Sequence, residues 1–127
     1  MNSDEIYKKR ITKLRKKLDK IDEKMIKIMV KRFSVTTRIG WLKAEYDKSE
    51  LDPNRELAQI KNYEMLAIKK NLSKNLVDGL HKLITDEVKK QHVYIKEIYA
   101  QSEDSNKADE FVKYDETQTI KNIKIND

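Results

Sequence analysis

The chain has 127 residues, of which 39% are charged and 38% hydrophobic, and its formal net charge is +6. This length fits one domain, and no apolar run approaches the roughly 18 residues that a membrane-spanning helix needs. The absence of cysteine excludes disulfides and thiolate chemistry.

The apolar residues before Pro53 recur in alternating three- and four-residue steps, which is a heptad pattern. They are Ile11, Leu14, Leu18, Ile21, Met25, Ile28, Val35, Ile39, Leu42 and Tyr46. We predict one helix over residues 6–46, roughly 60 Å long. A compact monomer of this length has a diameter of only roughly 35 Å. The helix would extend beyond its own protomer and expose its seam, so the pattern predicts a homodimer.

Asp52 before Pro53 predicts the start of a second helix, because aspartate caps helices well and proline suits the first helical position. This helix spans residues 53–69 in our prediction. Its inward-facing side chains are expected to be Leu57, Ile60 and Leu66.

Ser73 is the predicted N-cap of a third helix over residues 74–100. Gly79 lies inside this helix and points to a close helix contact there. His81 and His92 are expected to be surface or partly buried residues rather than metal ligands.

The complete prediction is an all-α protein with a three-helix protomer. Residues 1–100 form the helical domain, and residues 101–127, which are polar and lose the apolar pattern, form a flexible tail. Lysines are interleaved with acidic residues along the chain, so we expect a solvated surface and no nucleic-acid partner. The N-terminus lacks a secretory pattern, and a cytoplasmic location is the default expectation.

Arg32 interrupts the heptad between two apolar stretches, and a buried guanidinium is costly unless it is paired. Considered alone, Arg32 is more simply explained as a residue that sets the register of a coiled coil, or as an arginine whose guanidinium reaches solvent. Lys43 changes this view, since 11 residues make three turns plus about 20° and place both cations on one face. The pair predicts a site for a small dianion. Arg15 lies too far along the helix to contribute to the same site. In an antiparallel dimer, however, the partner's Arg15 can approach that site.

Several segments resemble the AroQ-type chorismate mutases over about residues 10–99. Residues 14–26 read LRKKLDKIDEKMI, residues 39–43 read IGWLK and residues 52–56 read DPNRE, with Arg32 at the matching interval. The resemblance implies an intertwined homodimer with two equivalent pockets that rearranges chorismate to prephenate without cofactor or metal. It also implies that Arg15 is donated across the dimer. Arg32 and Lys43 would then hold the carboxylates of chorismate, with Lys43 also touching the ether oxygen.

The remaining site residues follow from the same resemblance. Asp52 and Glu56 would receive the ring hydroxyl, and Arg55 would support the carboxylate network. Gln91 would be the second donor to the ether oxygen.

The match is weaker on the third helix, where many family members have a serine followed four residues later by glutamine. An ungapped count places Val88 and His92 there, whereas a shift of one residue places Glu87 and Gln91 there. We prefer Gln91, because related isochorismate-processing members show the shorter interval.

Two other functions stay open at the level of sequence. Isochorismate-pyruvate lyase uses the same fold and a similar pericyclic mechanism, although the acidic pair Asp52 and Glu56 favours the mutase. The second alternative is a dimeric helical adaptor or nucleic-acid binder without enzymatic activity.

Overall fold

The computed structural model describes residues 1–102, which form three helices and no strand. They are α1 (Ser3–Glu45), α2 (Pro53–Lys69) and α3 (Lys74–Gln101). The prediction of an all-helical protein with three helices is confirmed. The predicted tail lies outside the described residues from residue 103 onward. Within the described part, none of the helices combines the length and apolarity that crossing a membrane requires.

Each helix begins at a capping side chain. Asn2, Asp52 and Ser73 each accept a hydrogen bond from the backbone N–H three residues later, at 2.9, 3.2 and 3.3 Å. The first helical N–H groups have no partner inside the helix, so these side chains stabilise the helix starts.

A residue with a left-handed backbone lies two positions after the end of each of the first two helices. Asp47 and Asn71 have φ of 51° and 55°, a region that aspartate and asparagine tolerate better than most residues. In both places the following N–H donates to the carbonyl five residues back, at 2.7 and 2.8 Å. These hydrogen bonds form the Schellman pattern, which reverses the chain sharply after a helix.

The core lies where α3 packs against the second half of α1, while α2 packs against another face of α3. Trp41, Ala44 and Ile95 form its buried cluster. Gly40 permits this approach, since an added Cβ would lie 2.7 Å from the ring of His92 and 2.8 Å from Ile95. The contact predicted at Gly79 is wrong for the described residues, none of which has an atom within 4 Å of such a Cβ.

The predicted inner face of α2 is only partly correct. Ile60 is half-buried, but Leu57 and Leu66 are 54% and 45% exposed, and Ala67 is the buried residue of this helix. Because α2 packs mainly against α3, only one narrow side of it is covered within the protomer.

The first half of α1 has almost no packing partner among the described residues. Every residue from 3 to 28 is exposed except Ile11, which is half-buried. The heptad residues Leu14, Leu18, Ile21, Met25 and Ile28 are between 53% and 64% exposed. No other part of residues 1–102 therefore covers the seam predicted from the heptad.

Candidate active site

A cavity of about 130 Å³ lies where the three helices meet. From α1 it is lined by Arg32, Thr36, Ile39 and Lys43. These residues follow at intervals of four, three and four, so they form one stripe along the helix. Arg32 and Lys43 thus line the same cavity, as expected for two cations that share a helix face.

The second wall comes from α2 and the loop before it. Asp52, Arg55, Glu56 and Gln59 line the cavity from the cap and the first turns of α2, and Glu50 lines it from the loop. The carboxylate of Asp52 already accepts the N–H of Arg55 as the helix cap. Asp52 therefore has a structural role whatever else it does.

The third wall is a stripe on α3 made of Thr85, Val88, Lys89 and His92. The Nζ of Lys89 lies 3.0 Å from Oε1 of Glu56 on the opposite wall. This ion pair joins α3 to the first turn of α2 across the cavity.

Four cationic and three acidic side chains line the cavity. One nitrogen of the Arg32 guanidinium, Nη1, is buried and has no hydrogen-bond partner among residues 1–102. A buried guanidinium N–H without an acceptor is costly. The arrangement is suited to an anion that supplies the acceptor.

His92 is buried, with 4% of its surface exposed, and its Nε2 lies 2.7 Å from the carbonyl oxygen of Thr36. A carbonyl only accepts hydrogen bonds, so Nε2 carries the proton. Burial lowers the pKa of His92 below its usual 6.5 and the charge of Lys43 adds to this, while the bond to Thr36 and the charge of Glu50 oppose it. The ring is therefore neutral near pH 7, and its buried Nδ1, which has no partner among the described residues, is an acceptor.

His81 lies behind the cavity wall. Its Nε2 is 3.4 Å from Oε1 of Gln59 and 3.4 Å from Oγ1 of Thr85, and its ring meets Tyr63 edge to face. Both histidines are buried, so the expectation of surface or partly buried positions was wrong. His81 contacts α2 and His92 contacts α1. The apolar pattern of α3 alone does not predict these contacts.

The sequence model of the chorismate mutase type II family matches residues 14–93 of this chain. The chain belongs to the chorismate mutase type II family. This confirms the resemblance inferred from the motifs. A search of curated proteins gave no significant match.

All seven residues predicted from the chorismate mutase resemblance lie inside the matched segment, and the structure brings five of them together. The residues that line the common cavity are Arg32, Lys43, Asp52, Arg55 and Glu56. Their roles toward a substrate stay predictions.

Arg15 and Gln91 do not line the cavity of the protomer. Arg15 is exposed, and it precedes Arg32 by 17 positions, which correspond to about 25 Å of helix. Gln91 is half-buried on α3, with Oε1 3.5 Å from Oγ1 of Thr36. On α3 it is Val88 and His92 that face the cavity, the pair given by the ungapped family count.

The sequence analysis missed five polar residues of the cavity wall: Thr36, Glu50, Gln59, Thr85 and Lys89. A usable signal existed for two of them. Thr36 follows Arg32 by four residues and Gln59 follows Arg55 by four, which places each beside a predicted site residue on the same helix face.

Proposed function

We propose that this protein is a chorismate mutase that converts chorismate to prephenate. In this intramolecular [3,3] rearrangement one C–O bond of the enolpyruvyl ether breaks while a C–C bond forms, and no atom leaves or enters. The reaction needs no nucleophile and no proton transfer. A site of fixed charges and hydrogen-bond donors is sufficient for it.

The observation that carries this proposal is that three helices contribute cationic side chains to the wall of one cavity. Arg32, Lys43 and Arg55 meet there, and Arg32 has a buried Nη1 without an acceptor among the described residues. Arginine binds carboxylates in a two-pronged geometry that also fixes their orientation. We assign Arg32 and Lys43 to the two carboxylates of chorismate, with Arg55 supporting them.

The ether oxygen gains negative charge as its bond breaks, so the site needs donors directed at it. We assign Lys43 and Gln91 to this role, and one such donor is typically worth about 3 kcal/mol of barrier. His92 is unsuited to it, because its Nε2 proton is already held by Thr36 and a neutral Nδ1 only accepts. The amide of Gln91 lies next to the cavity, with its Oε1 3.5 Å from Oγ1 of the lining residue Thr36, and its NH₂ group is a donor.

The carboxylates of Asp52 and Glu56 are assigned to the ring hydroxyl of chorismate. Both line the cavity opposite the cations of α1. A carboxylate is an acceptor only, so it suits a hydroxyl donor.

We further propose that the enzyme is an intertwined homodimer in which Arg15 reaches the partner's cavity. The support is the uncovered apolar seam of α1, whose residues from Leu14 to Ile28 lie in the segment without packing. A second copy of the same seam covers it symmetrically. The cytoplasmic location stays a prediction.

The test is to incubate the purified full chain with chorismate and with isochorismate and to identify the products by chromatography. We expect prephenate from chorismate. Salicylate and pyruvate from isochorismate, with no prephenate, would establish the lyase instead.

A matched pair of variants tests the site itself. Lys43→Ala should lower kcat by about 10²–10³-fold, the usual effect of removing one preorganised donor. Lys31→Ala removes an exposed lysine of the same helix and should leave kcat unchanged. Circular dichroism verifies that both variants are folded, and a fully active Lys43→Ala would contradict the assigned site.

A further inference from the structure

The ion pair between Lys89 and Glu56 differs from the other ion pairs of the described residues. Its side chains are 33% and 32% exposed, and both line the cavity. In the other five pairs at least one partner is 46% exposed or more. Exposed ion pairs contribute little to stability. The pair between Lys89 and Glu56 is partly sheltered and lies inside a polar cavity, which indicates a role in that cavity.

The contact engages one oxygen of the Glu56 carboxylate. Lys89 lies 3.0 Å from Oε1, which leaves Oε2 as an acceptor. A carboxylate at the end of a long side chain has several rotamers. A cation held by another helix restricts it to one of them.

We propose that Lys89 is a positioning residue, which orients the Glu56 carboxylate so that Oε2 accepts the ring hydroxyl of the substrate. This inference depends on the proposed function, because it concerns how the same site recognises chorismate. Lys89 acts through Glu56 and not on the reacting atoms. Lys89 therefore contributes to recognition of the hydroxyl, and this contribution should disappear for a substrate without that group.

The experiment measures kcat/KM of the full chain with chorismate and with a chorismate analogue that lacks the ring hydroxyl. The variant Lys89→Met keeps the aliphatic length of the side chain and removes its charge. We expect it to lower kcat/KM for chorismate about tenfold, the effect of disordering one charged hydrogen-bond acceptor. With the analogue, Lys89→Met and the wild type should have equal kcat/KM.

Two further variants complete the comparison. Lys89→Arg keeps the cation and should retain most of the activity with chorismate. Lys90→Met removes the next lysine of α3, which is 78% exposed and lies 3.9 Å from Glu87, and should behave as the wild type with both substrates. If Lys89→Met fails to fold, Lys89→Gln takes its place in the same comparison.

The outcomes separate the two proposals. Equal losses with chorismate and with the analogue would mean that Lys89 only supports the fold, and unchanged activity would mean that it has no role; either result overturns the inference alone. A wild-type protein that converts no chorismate overturns the proposed function and this inference with it.

Discussion

Gly40 determines how closely α1 and α3 approach next to the cavity. We expect Gly40→Ala to lower the free energy of unfolding by about 1–3 kcal/mol, the usual cost of overpacking, because the new Cβ would lie 2.7 Å from the His92 ring. The matched control is Gly79→Ala, where the new Cβ meets no atom within 4 Å. This control should gain about 0.5–1 kcal/mol, since alanine is the better helix former.

Urea unfolding of both variants measures the two changes. A stability change of the same sign in both would contradict the assignment of Gly40 as the contact point. The comparison is direct, because each glycine lies inside a helix and receives the same substitution.

Residues on one helix could be grouped from the sequence, but contacts between helices could not. Arg32 and Lys43 share a face because 11 residues make nearly whole turns, and this needs no knowledge of the fold. His92 lines the cavity because α3 lies against α1 at Gly40. Its bond to Thr36 spans 56 positions, a distance at which helical periodicity carries no information.

At the scale of the helix, substitutions can separate the capping role of Asp52 from its proposed role toward the ring hydroxyl. Asparagine caps helices as well as aspartate does, so Asp52→Asn should keep the stability while lowering kcat/KM for chorismate if the carboxylate receives the hydroxyl. Asp52→Ala should lower both, with a loss of about 1 kcal/mol in the free energy of unfolding.

Ser73→Ala is the control, because Ser73 caps α3 in the same way and does not line the cavity. It should lose about 1 kcal/mol of stability and retain full activity. Full activity in Asp52→Asn would leave Asp52 as a cap only. Thermal unfolding and the chorismate assay give the two readouts.

The starts of α2 and α3 were predictable because they depend on local chemistry, whereas α1 starts at Ser3, three residues before the predicted start. The predicted starts at residues 53 and 74 are those of α2 and α3, where Asp52 and Ser73 supply caps to the adjacent backbone. The exposure of Leu57 and Leu66 was not predictable in this way. An apolar stripe predicts that one face of a helix packs against another element. It does not predict whether that element belongs to the same protomer or to a partner.

At the scale of the whole molecule, the same reasoning applies to α1. This helix of 43 residues is about 65 Å long, and its first half is almost uncovered by the rest of residues 1–102. A heptad seam of exposed leucine, isoleucine and methionine is unfavourable in water. A second copy bound along this seam would cover the apolar side chains and, as proposed, bring its Arg15 to the cavity.

This arrangement can be tested by complementation between two inactive variants. Arg15→Ala and Lys43→Ala should each form inactive dimers. In a mixed dimer, one site combines the intact Lys43 of one protomer with the intact Arg15 of the other, while the second site has both defects. Random pairing makes half of the dimers mixed, so activity should return to about a quarter of the wild-type value. Co-expression with two different tags and native mass spectrometry would verify the mixed dimers. If these dimers form and stay inactive, Arg15 is not donated across the interface.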